Sequence, residues 1–165
     1  MSHIQTVFNA AKAAGLTDAQ AKIIVAQAQH ESANFTSNVF KTDNNLFGMK
    51  MPSKRPRTYI ERPSKIIMQS EGSTPYAHYV SITDSVNDLV KGWHSYNKTN
   101  WSLLTTPALY SAYLKSKGYY GDAQAVYTNA LNRFFASLPN LKYVAAGSAL
   151  FLIIGIGLFI YFQNR

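Results

Sequence analysis

The stretch AQAQHESANF, residues 26–35, places Glu31 at the end of a segment with a helical pattern, just before the chain enters a loop. Thr17 and Gln20 form a capping-box pair that predicts the start of this helix. An apolar surround and the negative end of the helix dipole both disfavour a carboxylate, so we expect the pKa of Glu31 to be raised. Such a carboxyl group suits a general acid, although spacing alone favours an exposed glutamate at a helix end.

Helical patterns account for most of the remaining residues up to 138. Residues 2–14 open with a second capping-box pair, and residues 81–96 carry apolar side chains at helical spacing. Pro107 is well suited to the first position of a further helix that ends at Gly118. Asp122 is the predicted cap of the last helix.

The helical pattern gives way to a proline-containing, strand-like sequence at residues 51–80, which predicts a small β-lobe. Pro52, Pro56 and Pro63 interrupt any helix here, and short strand-like segments alternate with turn signals. Residues 33–50, which precede this region, are predicted to form a loop. The expected fold class is mainly α, with a helical lobe, a small antiparallel β-lobe and one C-terminal transmembrane helix.

The C-terminal region predicts a membrane anchor. Residues 143–162 contain no charged side chain and, as a helix, would span about 30 Å, the thickness of a bilayer's hydrocarbon core. A buried core helix is the alternative for this segment. The expected organisation is a domain at residues 1–138, a short linker at 139–142, the membrane helix at 143–162 and a polar tail at 163–165.

Charge and residue usage narrow the classes of partner. The chain has 16 Lys and Arg against 8 Asp and Glu, a net charge of +8 that favours anionic partners, and it contains no cysteine. Six of the basic residues lie in the run KMPSKRPRTYIERPSK, residues 50–65. No nucleic-acid motif accompanies this charge, and the four histidines have no metal-ligand spacing. We therefore expect no nucleic-acid partner, no metal and no cofactor.

Three ordered segments resemble glycoside hydrolase family 73, the peptidoglycan N-acetylglucosaminidases of the lysozyme-like superfamily. The first is AQAQHESANFTSNVFKTDNNLFGMK, residues 26–50, which resembles the family's helix with Q-x-x-x-E-S and its following N-N-L-F-G loop. YAHYVSITDSVNDLVKGW, residues 76–93, and KGYYGDAQAVYTNAL, residues 117–131, resemble later elements in the same order. The usual glycine after E-S is Ala33 here. The resemblance covers about residues 17–135 and implies a lysozyme-like fold with a glycan cleft between two lobes.

By this resemblance Glu31 is the catalytic acid. The family's second carboxylate comes from its β-lobe, where Glu61 and Glu71 are the candidates, and Glu61 is preferred because TYIE resembles the family's T-x-E strand. If neither glutamate reaches the cleft, the substrate's own N-acetyl group could assist instead. Tyr119 matches a tyrosine that lines the family's cleft and is assigned a catalytic role, with a packing role as the alternative. The residues assigned to substrate binding are Gln27, Ser32, Asn45, Phe47, Glu71, Tyr76 and Tyr79.

The predicted function is hydrolysis of the β-1,4 bond between N-acetylglucosamine and N-acetylmuramic acid in peptidoglycan. A lytic transglycosylase and a catalytically inactive peptidoglycan-binding membrane protein are the alternatives. The expected partners are glycan strands, a lipid membrane contacted through the C-terminal helix, and other virion membrane or capsid proteins. The N-terminus lacks the pattern of a signal peptide. We therefore expect a single-pass protein in the virion membrane of a lipid-containing phage, acting during entry or lysis, with the bacterial inner membrane as the alternative location.

Overall fold

The computed structural model describes residues 1–67 and 74–145, which form seven α-helices and one small sheet. Short π-helical and 3₁₀ segments join some of the helices. The bounds in chain order are α1 His3–Ala13, α2 Asp18–Glu31, α3 Asn38–Asp43, β1 Arg62–Pro63, β2 Ala77–His78, α4 Ile82–Asn87, a π-helical turn Asp88–Trp93, α5 His94–Tyr96, a 3₁₀ turn Trp101–Leu103, α6 Pro107–Ser116 and α7 Gln124–Ala136.

The two N-terminal helices begin where their caps predict. Ser2 accepts a hydrogen bond from the backbone N–H of Gln5, and Thr17 forms a complete capping box with Gln20. Helix α2 occupies the centre of the helical lobe and packs against both α1 and α7. Its residues 20–29 are buried except for Lys22, so its final residue, Glu31, emerges from an apolar core.

Helix α3 lies in a segment that the sequence pattern predicts as a loop. Its six residues are too few to show a helical period, but Ser37 caps them by accepting from the backbone N–H of Phe40. The preceding turn contains three consecutive residues in the left-handed region, Ala33, Asn34 and Phe35, with φ values of 51°, 54° and 65°.

The β-lobe contains a two-stranded antiparallel sheet, as predicted, but its strands are only two residues long. Arg62 pairs with His78, and Pro63 pairs with Ala77. The side chain of Asn45 joins this lobe to the preceding loop, because its Nδ2 donates to the backbone oxygens of both Met49 and Ala77 at 2.8 Å.

One continuous helical stretch, residues 82–96, follows the β-lobe and contains the π-helical turn. The turn begins at Asp88, which is fully buried and binds Arg55 through two hydrogen bonds of 2.5 and 2.6 Å. Tyr79 also donates to Asp88, at 2.8 Å. A buried charge pair with these additional hydrogen bonds fixes the β-lobe against the helical lobe.

The last two helices form as predicted, with one correction. Pro107 is the first residue of α6, and Gly118 follows its end with a φ of 67°. The prediction that Asp122 caps α7 is wrong, because Ala123 occupies the cap position and no side chain caps this helix.

The predicted membrane helix falls largely outside the described residues. Of residues 143–162, the structure describes only 143–145, which have no regular secondary structure. Within the described ranges, every helix is too short or too polar to cross a bilayer.

Candidate active site

A cleft of about 720 Å³ lies between the end of α2, the loop before the β-lobe and the loop between α6 and α7. Aromatic rings, glycine backbone and a few charged groups form its walls, a composition typical of ligand sites. The lining residues are His30, Glu31, Phe47, Gly48, Met49, Lys50, Pro52, Arg55, Tyr76, Trp93, Lys117, Gly118, Tyr119, Tyr120, Gly121, Asp122 and Tyr127.

Glu31 reaches this cleft from the last position of α2. Its Oε1 atom accepts a hydrogen bond of 2.5 Å from the hydroxyl of Tyr127. Burial raises the pKa of Glu31 from the usual 4.5 to about 7, and the hydrogen bond from Tyr127 opposes part of this rise. The carboxyl group is therefore substantially protonated at neutral pH, as the sequence predicts for an acid in this position.

Tyr127 is held in place by ring contacts on two sides. Its ring stacks on that of Tyr120, with centroids 3.9 Å apart and planes 4° from parallel, and His30 packs edge-on at 4.9 Å. Tyr127 is absent from the site residues predicted above. The resemblance places it on a matching family position, but its hydrogen bond to Glu31 joins residues 96 apart in sequence and has no local signal.

Tyr119 lines the cleft and also has a structural contact. Its hydroxyl donates to the backbone oxygen of Phe47 at 2.8 Å, which ties the α6–α7 loop to the loop before the β-lobe. Its ring packs edge-on against Trp93 at 5.3 Å. Burial and the nearby Glu31 raise the pKa of Tyr119 well above its usual value, so the phenol stays neutral and can act only through hydrogen bonds.

Gln27 lies beneath the cleft, one turn before Glu31, and is fully buried. Its Oε1 accepts from the hydroxyl of Tyr110 at 2.7 Å, and that hydroxyl lies 3.0 Å from Nε2 of His94. Burial lowers the pKa of His94 to about 3, so this histidine is neutral. The Nε2 amide of Gln27 faces Tyr119 without well-formed hydrogen-bond geometry to any described residue. Gln27 therefore lies outside the lining, in a network that supports the cleft.

The other predicted binding residues divide into two groups. Phe47 and Tyr76 line the cleft. Ser32 and Asn45 are buried, at 0% and 1% exposure, and their side chains hydrogen-bond to backbone. Tyr79 is also fully buried, and neither face of its ring is accessible to a sugar. These three side chains shape the loops around the site rather than lining it.

Glu61 lies on the surface of the β-lobe and is not among the residues that line the cleft. Its side chain is 49% exposed, and Oε2 lies 3.2 Å from Nε2 of His78. The other ring nitrogen of His78 lies 2.8 Å from Oδ1 of Asp43. The side chain that contacts the Glu61 carboxylate is therefore His78. Glu71 falls outside the described residues.

Among the described residues, Asp122 is the second carboxyl group on the cleft wall. The loop that carries it is fastened by Lys115, whose Nζ donates to the backbone oxygens of Gly121 and Asp122 at 2.8 and 2.7 Å. Lys50 and Lys117 add positive charge to the lining. Within residues 1–67 and 74–145, no cluster of three or more histidine or acidic side chains could hold a metal ion.

The site thus combines a carboxyl group whose pKa is raised to about 7 with aromatic walls and positive charge, an arrangement suited to protonating a glycosidic oxygen in an anionic glycan. Neither a curated protein nor a solved structure matches the chain significantly. A family described as mannosyl-glycoprotein endo-beta-N-acetylglucosaminidase matches residues 8–140. The chain therefore belongs to this glucosaminidase family and is a glycoside hydrolase of the endo-β-N-acetylglucosaminidase type.

Proposed function

We propose that this protein hydrolyses the β-1,4 bond between N-acetylglucosamine and N-acetylmuramic acid in peptidoglycan, with Glu31 as the proton donor. The observation that carries the proposal is the carboxyl group of Glu31, which opens onto the cleft, has a pKa of about 7 and is held by Tyr127. The membership of the glucosaminidase family supports peptidoglycan as the substrate class.

The hydrogen bond from Tyr127 assigns separate roles to the two oxygens of Glu31. Because Tyr127 donates to Oε1, Oε2 is the oxygen that carries the acid proton towards the leaving glycosidic oxygen. Proton transfer leaves a carboxylate, which the same hydrogen bond then stabilises. Tyr119, which also lines the cleft, is proposed to orient the N-acetyl group of the reacting sugar.

The second catalytic group remains a proposal with three candidates. Glu61, preferred from the sequence, would have to leave His78 and approach the cleft, and Glu71 is the other β-lobe candidate. Asp122 already lines the cleft. The variants Glu61→Gln, Glu71→Gln and Asp122→Asn, assayed for release of reducing ends from purified peptidoglycan, distinguish them. The residue whose loss lowers kcat on the scale typical of a catalytic base, about 100-fold or more, supplies the second carboxylate.

A lytic transglycosylase is the second candidate function, and the position of Glu61 outside the cleft favours it. Such an enzyme needs one acidic residue and forms an anhydro product that is lighter than the hydrolase product by one water. Digestion of purified peptidoglycan by the full-length chain, followed by mass spectrometry of the new ends, separates the two reactions. New reducing ends at N-acetylglucosamine support the hydrolase, and anhydro-N-acetylmuramic ends refute it.

A third possibility is that the protein binds peptidoglycan without cleaving it. Comparing the release of fragments by the wild type and by Glu31→Gln tests this possibility. If the wild type releases no fragments, or if Glu31→Gln releases them at the wild-type rate, the assignment of Glu31 as the proton donor is wrong.

We also propose that residues 143–162 anchor the enzyme in a membrane, in the virion of a lipid-containing phage or in the bacterial inner membrane. The uncharged sequence of this segment supports the proposal. Recovery of the chain in the lipid fraction of purified particles is the expected result for the virion. Its absence from particles, with recovery in host inner membranes, would favour the second location.

A further inference from the structure

A second depression, of about 300 Å³, lies on the outer face of the domain where the β-lobe meets the helical stretch 82–96. Its walls combine two tyrosine rings and a proline with two hydroxyl groups and one lysine. The lining residues are Pro56, Thr58, Tyr59, Lys91, Gly92, Ser95 and Tyr96. None of them lines the cleft around Glu31.

The two depressions share one wall. Arg55 and Trp93 line the cleft, whereas their chain neighbours Pro56 and Gly92 line the outer depression. The wall is rigid, because Arg55 is buried and paired with Asp88. Because residues adjacent in the chain line the two depressions, one extended polymer can contact both.

The side chains of the outer depression match the chemistry of a sugar ring. A pyranose has an apolar face that packs on an aromatic ring and a hydroxylated edge that needs hydrogen-bond partners. Tyr96 is 51% exposed and Tyr59 is half-buried, so both phenol rings remain accessible. Ser95 and Thr58 supply hydroxyl groups, and Lys91 supplies a positive charge suited to the carboxylates of peptide-substituted glycans.

We infer that this outer depression is a second glycan-binding site that holds a part of the β-1,4-linked amino-sugar strand lying beyond the cleft. The inference rests on the proposed function for its choice of polymer. Its effect is to retain long substrates: the strand is bound at two places, so its apparent affinity exceeds that of the cleft alone.

Binding to purified peptidoglycan tests the site without any need for catalysis. Three full-length proteins, purified in detergent, are each sedimented with sacculi: the single variant Glu31→Gln as the parent, and two double variants that add Tyr96→Ala or Tyr59→Ala to it. Loss of one stacking ring is expected to raise the apparent Kd by about three- to tenfold. Tyr96→Phe, which keeps the ring, should bind within about twofold of the parent. Leu109→Ala removes an apolar side chain of matching exposure, 50%, from helix α6 and should bind like the parent.

Sacculi stripped of their stem peptides identify the occupant. If Tyr96→Ala loses affinity equally for stripped and intact sacculi, the ring binds the glycan as inferred. A loss confined to intact sacculi means that the ring binds peptide, which overturns the inference. Unchanged binding of Tyr96→Ala, failure of Tyr96→Phe to restore binding, or an equal loss in Leu109→Ala also overturns it.

Kinetic measurements on the active protein, which keeps Glu31, distinguish failure of the second site from failure of the proposed function. Tyr96→Ala is expected to raise KM on sacculi by about three- to tenfold while kcat stays within about twofold. A protein that binds sacculi in a Tyr96-dependent way but cleaves nothing refutes the proposed function and leaves the second site standing. A protein that cleaves sacculi normally after loss of Tyr96 refutes only the second site.

Discussion

Replacing Glu31 with glutamine is expected to stabilise the protein while abolishing its activity. In the folded protein, burial moves the pKa of Glu31 from the usual 4.5 to about 7. Since each pKa unit corresponds to about 1.4 kcal/mol, the ionised carboxylate costs about 3 kcal/mol in the folded state relative to the protonated one. Glutamine has nearly the same shape, carries no charge and can still accept the hydrogen bond from Tyr127.

The direction of the pH dependence follows from the proton uptake. Because the folded pKa lies above the unfolded one, the folded protein binds more protons between pH 4.5 and about 7. The stability that Glu31 contributes is therefore complete below pH 4.5 and is lost as the pH rises through about 7. The Glu31→Gln protein lacks this loss, so the two free energies of unfolding should agree near pH 4 and differ by up to about 3 kcal/mol near pH 8.

Urea denaturation followed by tryptophan fluorescence measures this difference, because Trp93 lies on the cleft wall. The comparison near pH 4 serves as the internal control, since residue 31 is then uncharged in both proteins. Equal stability of the two proteins near pH 8, or a less stable Glu31→Gln, would refute the assignment of Glu31 as a buried acid. In peptidoglycan digestion assays with the same preparations, Glu31→Gln should be inactive although it has the higher free energy of unfolding near pH 8.

Three further outcomes follow from the described contacts. Tyr127→Phe removes the hydrogen bond that lowers the pKa of Glu31, so the alkaline limb of the pH–rate profile should move to higher pH. An alkaline limb at the wild-type pH would contradict this prediction. Gly92→Ala places a Cβ 2.8 Å from Oδ1 of the buried Asp88 and should lower the free energy of unfolding by about 1–2 kcal/mol in thermal or urea unfolding. Gly121→Ala, where a Cβ meets nothing within 4 Å, is the control and should change little. The pKa of His94 is about 3 in the folded protein, against a usual value of 6.5. The free energy of unfolding that neutral His94 contributes is therefore lost as the pH falls below 6.5. His94→Gln should make the free energy of unfolding, measured by urea denaturation, less dependent on pH in this acid range.

Local signals in the sequence account for the helices of this fold well. The caps at Ser2 and Thr17 and the proline at 107 each mark a helix start that the structure confirms. Helix α3 is missed because six residues give no period, and Asp122 is misassigned because a capping residue type does not guarantee a capping position.

The site is less predictable because its geometry depends on distant contacts. The position of Glu31 at a helix end is readable from the sequence, but the phenol that binds it comes from α7. Tyr79 is an aromatic residue of the kind that stacks on sugars, yet in the structure its hydroxyl donates a hydrogen bond to the buried Asp88. Glu61 pairs with His78 across the sheet, an interaction that depends on strand register and has no signature along the chain.

The π-helical turn at Asp88–Trp93 makes the length of this helix a constraint on the enzyme. A π-helical turn accommodates one residue more than an α-helical turn, and each residue of an α-helix advances by about 100°. The turn therefore absorbs one extra residue while its two ends keep nearly the same relative orientation, with Asp88 paired to Arg55 and Trp93 on the cleft wall. Deleting one residue between Asp88 and Trp93 would restore regular α-helix with little rotation of one end against the other. A deletion in the flanking α-helical residues 82–87 would instead rotate the preceding residues by about 100° relative to Asp88, so natural single-residue deletions should be tolerated within the turn and excluded from residues 82–87.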